Sequence, residues 1–372
     1  MVSEMLDENA LSTSSYFYLL YKTLPQQNNN RQDETTQQIS TITSINNTIP
    51  SSNTFWDEDE WTDQCEERAK QTLEKYKQKC QIGNDISYQN LHAKQSMSND
   101  IENNCHHYQN IASYWLKKYE EEANIHWDGF YTRNQTNFFK DRHYLHKSFP
   151  NEAQFFLGNK EGIYTLHEIG CGVGNNILPL LSKNPKLNIH CFDFSSVAIE
   201  LLDQNPDFLK AKKEGRASAH VWDITKTFPQ SSIANSLFTQ SSIHHSDCTM
   251  LLFCLSAIDP KNMVRAVCNI ASILKPGGVI LFRDYGRYDE AQMKLGIQRG
   301  KGLGENFYVK NDGTRCYYFD LNDLENIFGS GPSGAKLEIL ELRYIRRLYR
   351  NRGNDKIRRR VWVQGRFRKP WI

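Results

Sequence analysis

The chain has 372 residues, of which 39% are hydrophobic and 12% aromatic, so its ordered part can bury a sizeable core. It has no apolar run as long as a membrane span, and its nine cysteines show no C-x-x-C pair or Cys/His spacing suited to zinc, which excludes a membrane protein and a zinc protein. The net charge of +2 does not by itself indicate whether the protein binds nucleic acid. Cysteines in apolar contexts indicate a reducing compartment, so we expect a cytoplasmic protein, with the nucleus as a second location left open.

The composition divides the chain into four regions. Residues 1–54 are predicted to be mostly disordered, because the Gln, Asn, Ser and Thr that dominate them cannot offset the entropy of ordering. Residues 55–105 combine an acidic segment flanked by tryptophans, a helix and a polar linker, and residues 106–160 form a helical segment. Residues 161–372 are predicted to be one α/β domain.

Strands and helices alternate in this last region. Strands are predicted at Ile163–Ile169, Leu187–Phe192, Ala217–Trp222, Met250–Leu255 and Gly278–Phe282. Ser195 or Ser196 is placed to cap the helix after the second strand, and Asp259 to cap the helix after the fourth. This alternation indicates a Rossmann-like α/β fold, a mostly parallel sheet with helices on both faces.

The rest of the region adds antiparallel structure. The pair Asp312-Gly313 between aromatic-rich runs predicts a hairpin inserted at residues 305–319, before a helix near Asp320–Phe328. Two strands, Leu337–Ile345 and Arg359–Phe367, predict an antiparallel edge on a seven-stranded sheet, an arrangement that favours a methyltransferase over a dehydrogenase. Between residues 343 and 369 basic side chains dominate and Asp355 is the single acid, so we expect a basic face suited to an RNA backbone.

The first strand leads into Gly170-Cys171-Gly172-Val173-Gly174 and then a helix. Glycines there let the backbone approach a ligand at the carboxyl edge of the sheet, so Gly170, Gly172 and Gly174 are candidate cofactor contacts. Asp193 ends the second strand, where an acid can hold ribose hydroxyls. A dinucleotide site would place its third glycine at Asn175.

Two further features separate the cofactor classes. Trp222-Asp223-Ile224 ends the third strand where an adenine amine would be met, and Leu274-Lys275-Pro276-Gly277-Gly278 leads into the fifth strand, as in many class I methyltransferases. Together with the glycine loop, they predict S-adenosylmethionine as cofactor. The alternatives are a dinucleotide enzyme and an inactive binding module.

Several segments resemble signatures of the tRNA 3-methylcytidine methyltransferases. They are Trp127-Asp128-Gly129-Phe130-Tyr131, Asn137–His143, Leu255–Ile258, Arg283–Asp289 and Glu305–Arg315. The similarity runs from about Trp115 to Pro370, and Trp56-Asp57 with Glu60-Trp61 resembles the extended, threonine-tRNA type. The resemblance implies a class I enzyme that forms 3-methylcytidine at cytidine 32, in the anticodon loop of threonine or serine tRNAs. An accessory protein or an aminoacyl-tRNA synthetase is a possible partner.

The resemblance also implies the cofactor contacts. They are Trp127, Tyr131, Gly170, Asp193, Asp223, Ile224 and Leu252. Trp127 and Tyr131 would cover the cofactor like a lid, although their spacing alone, on one face of a helix, fits a core position equally well.

The expected chemistry needs no base, because N3 of neutral cytosine carries a free lone pair. The rate should come from alignment, from exclusion of water and from an acid near the cationic product ring. Asp284, at the carboxyl end of the fifth strand, is the first candidate for that acid and Asp141 the second. Asp284 could equally be a structural partner of Arg283 or Arg287.

The target base must leave its stack to reach such a pocket. Aromatic and basic side chains that could hold it or its phosphates are Phe139, Lys140, Arg142, His143, Tyr285 and Arg287. Tyr144 and Asp259 replace a Trp and a His of the family, and Lys226–Asp247 is longer than the family's linker, so we interpret it as a surface insertion. Methylation of another RNA or of a protein, and a non-catalytic scaffold that uses the acidic tryptophan segment, are the remaining alternatives.

Overall fold

The computed structural model describes residues 55–56, 66–75, 113–158, 161–228, 246–298, 300–331, 334–350 and 357–371. The predictions of disorder in residues 1–54, of the linker at 81–105 and of most of the insertion therefore lie outside the described residues. Phe55–Trp56 has strand geometry and residues 66–75 are helical, within the predicted acidic helix. Residues 113–121 are helical too, and a turn at Glu122 separates them from the next helix.

The strands lie where the alternating pattern predicts them, with most boundaries shifted by a few residues. They are β1 (Tyr164–Ile169), β2 (Leu187–Asp193), β3 (Ala217–Val221), β4 (Ser246–Leu252), β5 (Leu274–Tyr285), β6 (Gly302–Gly304), β7 (Phe307–Val309), β8 (Arg315–Tyr317), β9 (Glu338–Arg350) and β10 (Ile357–Arg368). In the described part of the chain from residue 161 on, seven of them form one sheet in the order β9-β10-β5-β4-β1-β2-β3. Strands β6, β7 and β8 form a small separate sheet.

The main sheet is parallel except at β10, which confirms the Rossmann-like class I methyltransferase fold. β10 runs antiparallel to both β5 and β9. The predicted antiparallel edge is confirmed, because the antiparallel pair of β9 and β10 extends the sheet beyond β5, with β10 between β5 and β9. The β9–β10 hairpin folds back so that Val363 of β10 pairs with Asp284 of β5.

Helices cover both faces of this sheet. They are α1 (Ala123–Asn134), α2 (Leu145–Ser148), α3 (Ala153–Leu157), α4 (Ile177–Lys183), α5 (Ser196–Asp203), α6 (Pro206–Lys213), α7 (Pro260–Ser272), α8 (Glu290–Gly296) and α9 (Leu321–Phe328). The predicted caps of α5 and α7 are confirmed: Ser195 Oγ accepts from Ala198 N at 3.1 Å, and Asp259 Oδ1 accepts from Lys261 N at 3.1 Å. In the described parts of the chain, no helix is both long and apolar enough to span a membrane.

The two faces of the sheet bury separate apolar clusters. On β4, Met250 and Leu252 pack into one cluster and Leu251 into the other, because neighbouring residues of a strand point to opposite faces. Phe282, Phe328 and Phe367 belong to the second cluster and are fully buried. With both faces covered, the carboxyl edge of the parallel strands remains as the place for a ligand.

The predicted hairpin is confirmed as β7 and β8. Lys310 N donates to Thr314 O at 2.8 Å across the turn, where Gly313 has a φ of +83°. A Cβ atom added to Gly313 would lie 2.2 Å from Nδ1 of His126, so the turn rests directly on α1.

Candidate active site

An open cavity of about 130 Å³ lies at the carboxyl edge of β1 to β4. The N-terminal helical segment covers it on one side, and a residue of β8 completes its wall. Its lining residues are Glu120, Ala123, Trp127, Tyr131, Ile169, Gly170, Asp193, Phe194, Trp222, Asp223, Ile224, Thr225, Phe253, Cys254, Ala257, Ile258 and Arg315. Six of the predicted cofactor contacts are therefore brought together here.

The three loop glycines have different roles. Gly170 lines the cavity with a φ of +71°, and a Cβ there would lie 2.7 Å from Sγ of Cys254. At Gly172 a Cβ would lie 2.7 Å from the Tyr131 hydroxyl, so this glycine makes room for the covering helix. At Gly174 it would lie 2.7 Å from Cδ1 of Leu202 on α5. Gly170 is thus part of the cavity wall as well as packed against Cys254, whereas the other two are needed for packing alone.

Asp193 presents a buried carboxylate at the end of β2. Its Oδ2 accepts from Gly172 N at 2.8 Å, and its Oδ1 accepts from Ser195 N at 2.9 Å. Burial raises the pKa of Asp193 to about 6, although the backbone hydrogen bonds counteract this rise. Each carboxylate oxygen can accept a further hydrogen bond, so Asp193 can hold the two neighbouring hydroxyls of a ribose.

The other side of the cavity suits a flat ring with an exocyclic amine. Asp223 Oδ1 accepts from Thr225 N at 2.9 Å and from Thr225 Oγ1 at 2.7 Å, which orients the carboxylate and leaves acceptor capacity on Oδ2. Trp222, Ile224 and Phe194 add apolar surface next to it. Ribose acceptor, amine acceptor and apolar wall together fit the adenosine part of S-adenosylmethionine.

Helix α1 forms the cover of the cavity. Trp127 and Tyr131 face the cavity and Tyr131 is buried. Asp128 ties the helix to the start of α5, since its Oδ1 accepts from Ser195 Oγ at 2.5 Å and from Val197 N at 3.3 Å. The tryptophan and tyrosine that spacing alone left between core and ligand positions thus belong to the cavity wall.

Phe253, which the sequence interpretation missed, connects the cavity to a second group of aromatic rings. It follows β4 directly with a φ of +57°, a strained backbone for a bulky residue. Its ring lies 5.2 Å from that of Tyr285 and 5.7 Å from that of Trp362. The predicted contact one position earlier, Leu252, packs into the core instead. A position directly after a parallel strand was the signal available for Phe253.

Asp284 lies fully buried beside this aromatic group. Its Oδ2 accepts from Ser256 N and its Oδ1 from Tyr285 N, both at 2.9 Å. Burial raises its pKa to about 6, and the charge of Lys310 favours the ionised form. The carboxylate therefore lies at the end of β5, although it is not part of the cavity lining.

Both arginines considered as partners of Asp284 are engaged elsewhere. Arg283 Nε donates to Gln364 Oε1 at 3.1 Å. Arg287 pairs with Asp320 at 2.9 Å and with Asp323 at 3.4 Å, which ties it to the start of α9. The structure thus gives Arg287 a structural contact, and its contact with substrate stays a prediction.

The predicted substrate residues before α2 lie beside the glycine loop. Lys140 and His143 are exposed, Phe139 is half-buried, and Asp141 Oδ1 accepts from Asn175 Nδ2 at 3.1 Å. The Arg142 guanidinium lies 5.0 Å from the ring centre of Phe253. Arg142 thus reaches the aromatic group, whereas Phe139 packs near Phe130 of α1 and the Asp141 carboxylate is engaged with Asn175.

A series of hydrogen-bonded polar side chains lies behind the glycine loop. Arg142 Nη1 donates to Asn176 Oδ1 at 3.4 Å, and Asn176 Nδ2 donates to Glu168 Oε1. Burial raises the pKa of Glu168 to about 8, so its carboxyl group is largely protonated at neutral pH. These hydrogen bonds orient the Arg142 guanidinium from the side of the glycine loop.

Many arginines of the basic stretch meet acids in the fold, which the expectation of a basic face did not foresee. The ion pairs are Arg343–Glu341 at 2.8 Å, Arg346–Glu66 at 3.4 Å, Arg358–Glu290 at 3.0 Å, Arg360–Asp289 at 2.7 Å, Arg366–Glu152 at 2.5 Å and Arg368–Glu338 at 2.6 Å. Because most of these acids come from distant segments, the pairing was not visible in the local charge pattern. The number of arginines in this stretch therefore overstates the positive charge that is available to bind RNA.

Comparison with known proteins agrees with this geometry. A family model described as a methyltransferase domain matches residues 167–280. The chain is 36% identical over 284 residues to a tRNA N(3)-cytidine methyltransferase METTL2 of Danio rerio, with 68% of this chain and 75% of the relative covered. It is 39% identical over 259 residues to the Drosophila melanogaster tRNA N(3)-methylcytidine methyltransferase Mettl2, covering 68% and 74%. With the human tRNA N(3)-cytidine methyltransferase METTL6 it shares 37% identity over 260 residues, covering 70% and 85%.

Proposed function

Because the chain belongs to the family of tRNA N(3)-cytidine methyltransferases, we propose that it methylates cytidine 32 in the anticodon loop of threonine or serine tRNAs. It is an S-adenosylmethionine-dependent methyltransferase that acts on cytidine in tRNA. The nucleotide position and the choice of tRNA are the finer part of the proposal. They rest on the family signatures between Trp127 and Arg315.

The cavity supplies the cofactor side of the reaction. Asp193 would hold the ribose hydroxyls, Asp223 the adenine amine, and Gly170 would allow the backbone to come close. Trp127 and Tyr131 would cover the ligand and exclude water. When bound, S-adenosylmethionine supplies an electrophilic methyl group on a sulfonium centre.

For methylation of a flipped cytosine, the single observation that carries the proposal is the position of Phe253. Its ring lines the cofactor cavity and also contacts Tyr285, while the Arg142 guanidinium lies over it. Aromatic and guanidinium planes are the surfaces that hold a flipped base. A cytosine on these planes would lie next to the cofactor cavity, which is what methyl transfer to N3 requires.

Asp284 is the group we propose to act on the charge of the product. N3 of neutral cytosine carries a lone pair, so no proton has to be removed before it reacts. The methylated ring is cationic, and an ionised Asp284 close to Tyr285 would stabilise it. Asp141 is the weaker candidate, since its carboxylate is engaged with Asn175 on the outer side of the loop.

The RNA backbone would be held by side chains around this pocket. Phe138, which is 57% exposed, offers a stacking surface beside the exposed Lys140 and His143. We propose the cytoplasm as its location, with the nucleus as a second one left open, and an accessory protein or an aminoacyl-tRNA synthetase as its partner if it does not act alone.

The test uses purified protein, labelled S-adenosylmethionine and transcribed threonine and serine tRNAs, with nucleosides identified after digestion. We expect label in 3-methylcytidine, its loss when cytidine 32 is replaced by uridine, and its loss in Asp193→Ala. Label in another nucleoside, or persistence in the uridine transcript, would contradict the proposal. If label appears only after cell extract is added, the protein requires a partner. If the cofactor binds but no label appears with or without extract, the protein is a non-catalytic scaffold.

A further inference from the structure

The helical segment that covers the cavity is attached at two carboxylates. At one end Glu120 Oε1 accepts from Asn262 Nδ2 of α7 at 3.0 Å, and Glu120 Oε2 pairs with Nη1 of Arg315 on β8. At the other end Asp128 accepts from Ser195 Oγ. We call residues 120–131 the roof of the cavity.

The roof carries four cavity-facing residues, from Glu120 at one attachment to Tyr131 just beyond the other. Glu120, Ala123, Trp127 and Tyr131 all line the cavity, and steps of three and four residues keep side chains on one helical face. The helix bends at Glu122, where a turn joins residues 113–121 to α1, although Glu122 N still donates to Lys118 O at 2.9 Å and His126 N donates to Glu122 O at 3.0 Å. Glu120 lies on the far side of this bend from Asp128, and its own contacts with Arg315 and Asn262 hold that part of the roof.

Arg315 is well placed to hold that part. Its side chain is 5% exposed and its guanidinium lies 5.6 Å from the ring centre of Phe307 on the neighbouring strand. The same hairpin supports α1 through the contact of Gly313 with His126. A fixed, nearly buried cation opposite a carboxylate makes a stronger and more directional contact than a surface ion pair.

We propose that Glu120 is a positioning residue that latches the roof over the bound cofactor through Arg315 and Asn262, and that release of this latch limits cofactor exchange. Trp127 of the roof lines the same cavity as Asp193 and Asp223, so we infer that the roof moves when a ligand held between these two acids leaves. The proposal depends on the cofactor cavity alone, whichever tRNA base accepts the methyl group.

The matched variants are Glu120→Gln and Glu121→Gln in the full chain. Glu121 is the next residue, but its side chain is 64% exposed and it contacts Lys117 at 3.7 Å, where an ion pair has little effect. S-adenosylhomocysteine serves as the probe, and its dissociation rate is measured by stopped-flow tryptophan fluorescence. We expect dissociation about 10-fold faster in Glu120→Gln, as the loss of one charged hydrogen bond implies, and no change in Glu121→Gln.

Two further measurements separate a latch from a general structural role. Hydrogen exchange should become faster in the roof of Glu120→Gln and stay unchanged in β1 and β2. Asn262→Ala, which removes the second partner, should give a smaller acceleration of the same kind. The proposal is overturned if Glu120→Gln and Glu121→Gln dissociate at equal rates. It is also overturned if exchange rises throughout the sheet, because Glu120 would then support the fold and not the roof.

Discussion

Replacing Asp193 by Asn tests the cofactor site with a minimal change of shape. The carboxylate accepts the Gly172 and Ser195 backbone N–H groups at 2.8 and 2.9 Å, one on each oxygen. The amide of Asn keeps one oxygen and turns an NH2 group toward the second N–H donor. The variant therefore loses one internal hydrogen bond and offers a ribose one acceptor where the wild type offers two.

The expected loss of cofactor affinity follows from these contacts. A hydrogen bond to a charged group contributes about 1.5–3 kcal/mol, so the Kd for S-adenosylmethionine should rise roughly 10- to 100-fold.

The stability of the folded protein should respond differently from its cofactor affinity. Burial raises the pKa of Asp193 from 3.8 to about 6, so the ionised carboxylate costs the folded state about 3 kcal/mol at neutral pH.

This cost has a definite pH dependence. Because the folded pKa exceeds the unfolded one, the cost is fully present above about pH 6 and is lost as the pH falls toward 3.8. Asn carries no charge and avoids the cost, which offsets its lost hydrogen bond. The melting temperature of the ligand-free variant at pH 7.5 should therefore not fall below that of the wild type.

Isothermal titration with S-adenosylhomocysteine and thermal unfolding without ligand measure the two quantities. Asp203→Asn is the control. Asp203 is the last residue of α5, the helix that follows Asp193, and its carboxylate pairs with Lys212 at 2.8 Å and not with the glycine loop. An unchanged Kd in Asp193→Asn would refute its role as ribose acceptor. A parallel collapse of affinity and melting temperature would show that Asp193 supports the fold.

Three other substitutions test the aromatic group, the glycine loop and the core. Phe253→Ala should raise the KM for tRNA about 10-fold in steady-state assays, because one stacking surface is lost, whereas Phe253→Tyr should stay near wild type. Gly172→Ala should weaken cofactor binding, because the new Cβ would lie 2.7 Å from the Tyr131 hydroxyl. Adding Tyr131→Phe removes that hydroxyl and should recover part of the affinity, so equal affinity of the single and double variants would contradict this. Phe367→Ala breaks a stack with Phe328 at 3.9 Å and should cost about 3–5 kcal/mol in urea unfolding, and a loss below 1 kcal/mol would refute it.

Local sequence signals predicted the scaffold of the site well. Strand ends, the caps Ser195 and Asp259, and the glycine loop depend on a few neighbouring residues each, so their physics is visible in the chain. Asp193 and Asp223 follow from the strand ends, because parallel strands bring their carboxyl ends to one edge.

Contacts between distant segments were not visible in this way. The family resemblance implied Leu252, the last residue of β4, as a cofactor contact, but Leu252 packs into the core and Phe253 lines the cavity. The pair of Glu120 with Arg315 and most ion pairs of the arginines in β9 and β10 join residues far apart in the chain. Such pairs depend on strand order, and periodicity did not reveal that β10 inserts between β5 and β9.

The place of β10 has a consequence for folding during synthesis. β5 leaves the ribosome long before β10, and until then one side of its backbone has no partner strand from β10. Ile280 and Phe282 lie along that open edge, and an apolar strand with free hydrogen-bonding groups is prone to pair with other chains. We therefore expect the nascent protein to be most vulnerable to aggregation late in translation, when the cofactor-binding half of the sheet is complete and the strand that closes β5 has not yet emerged.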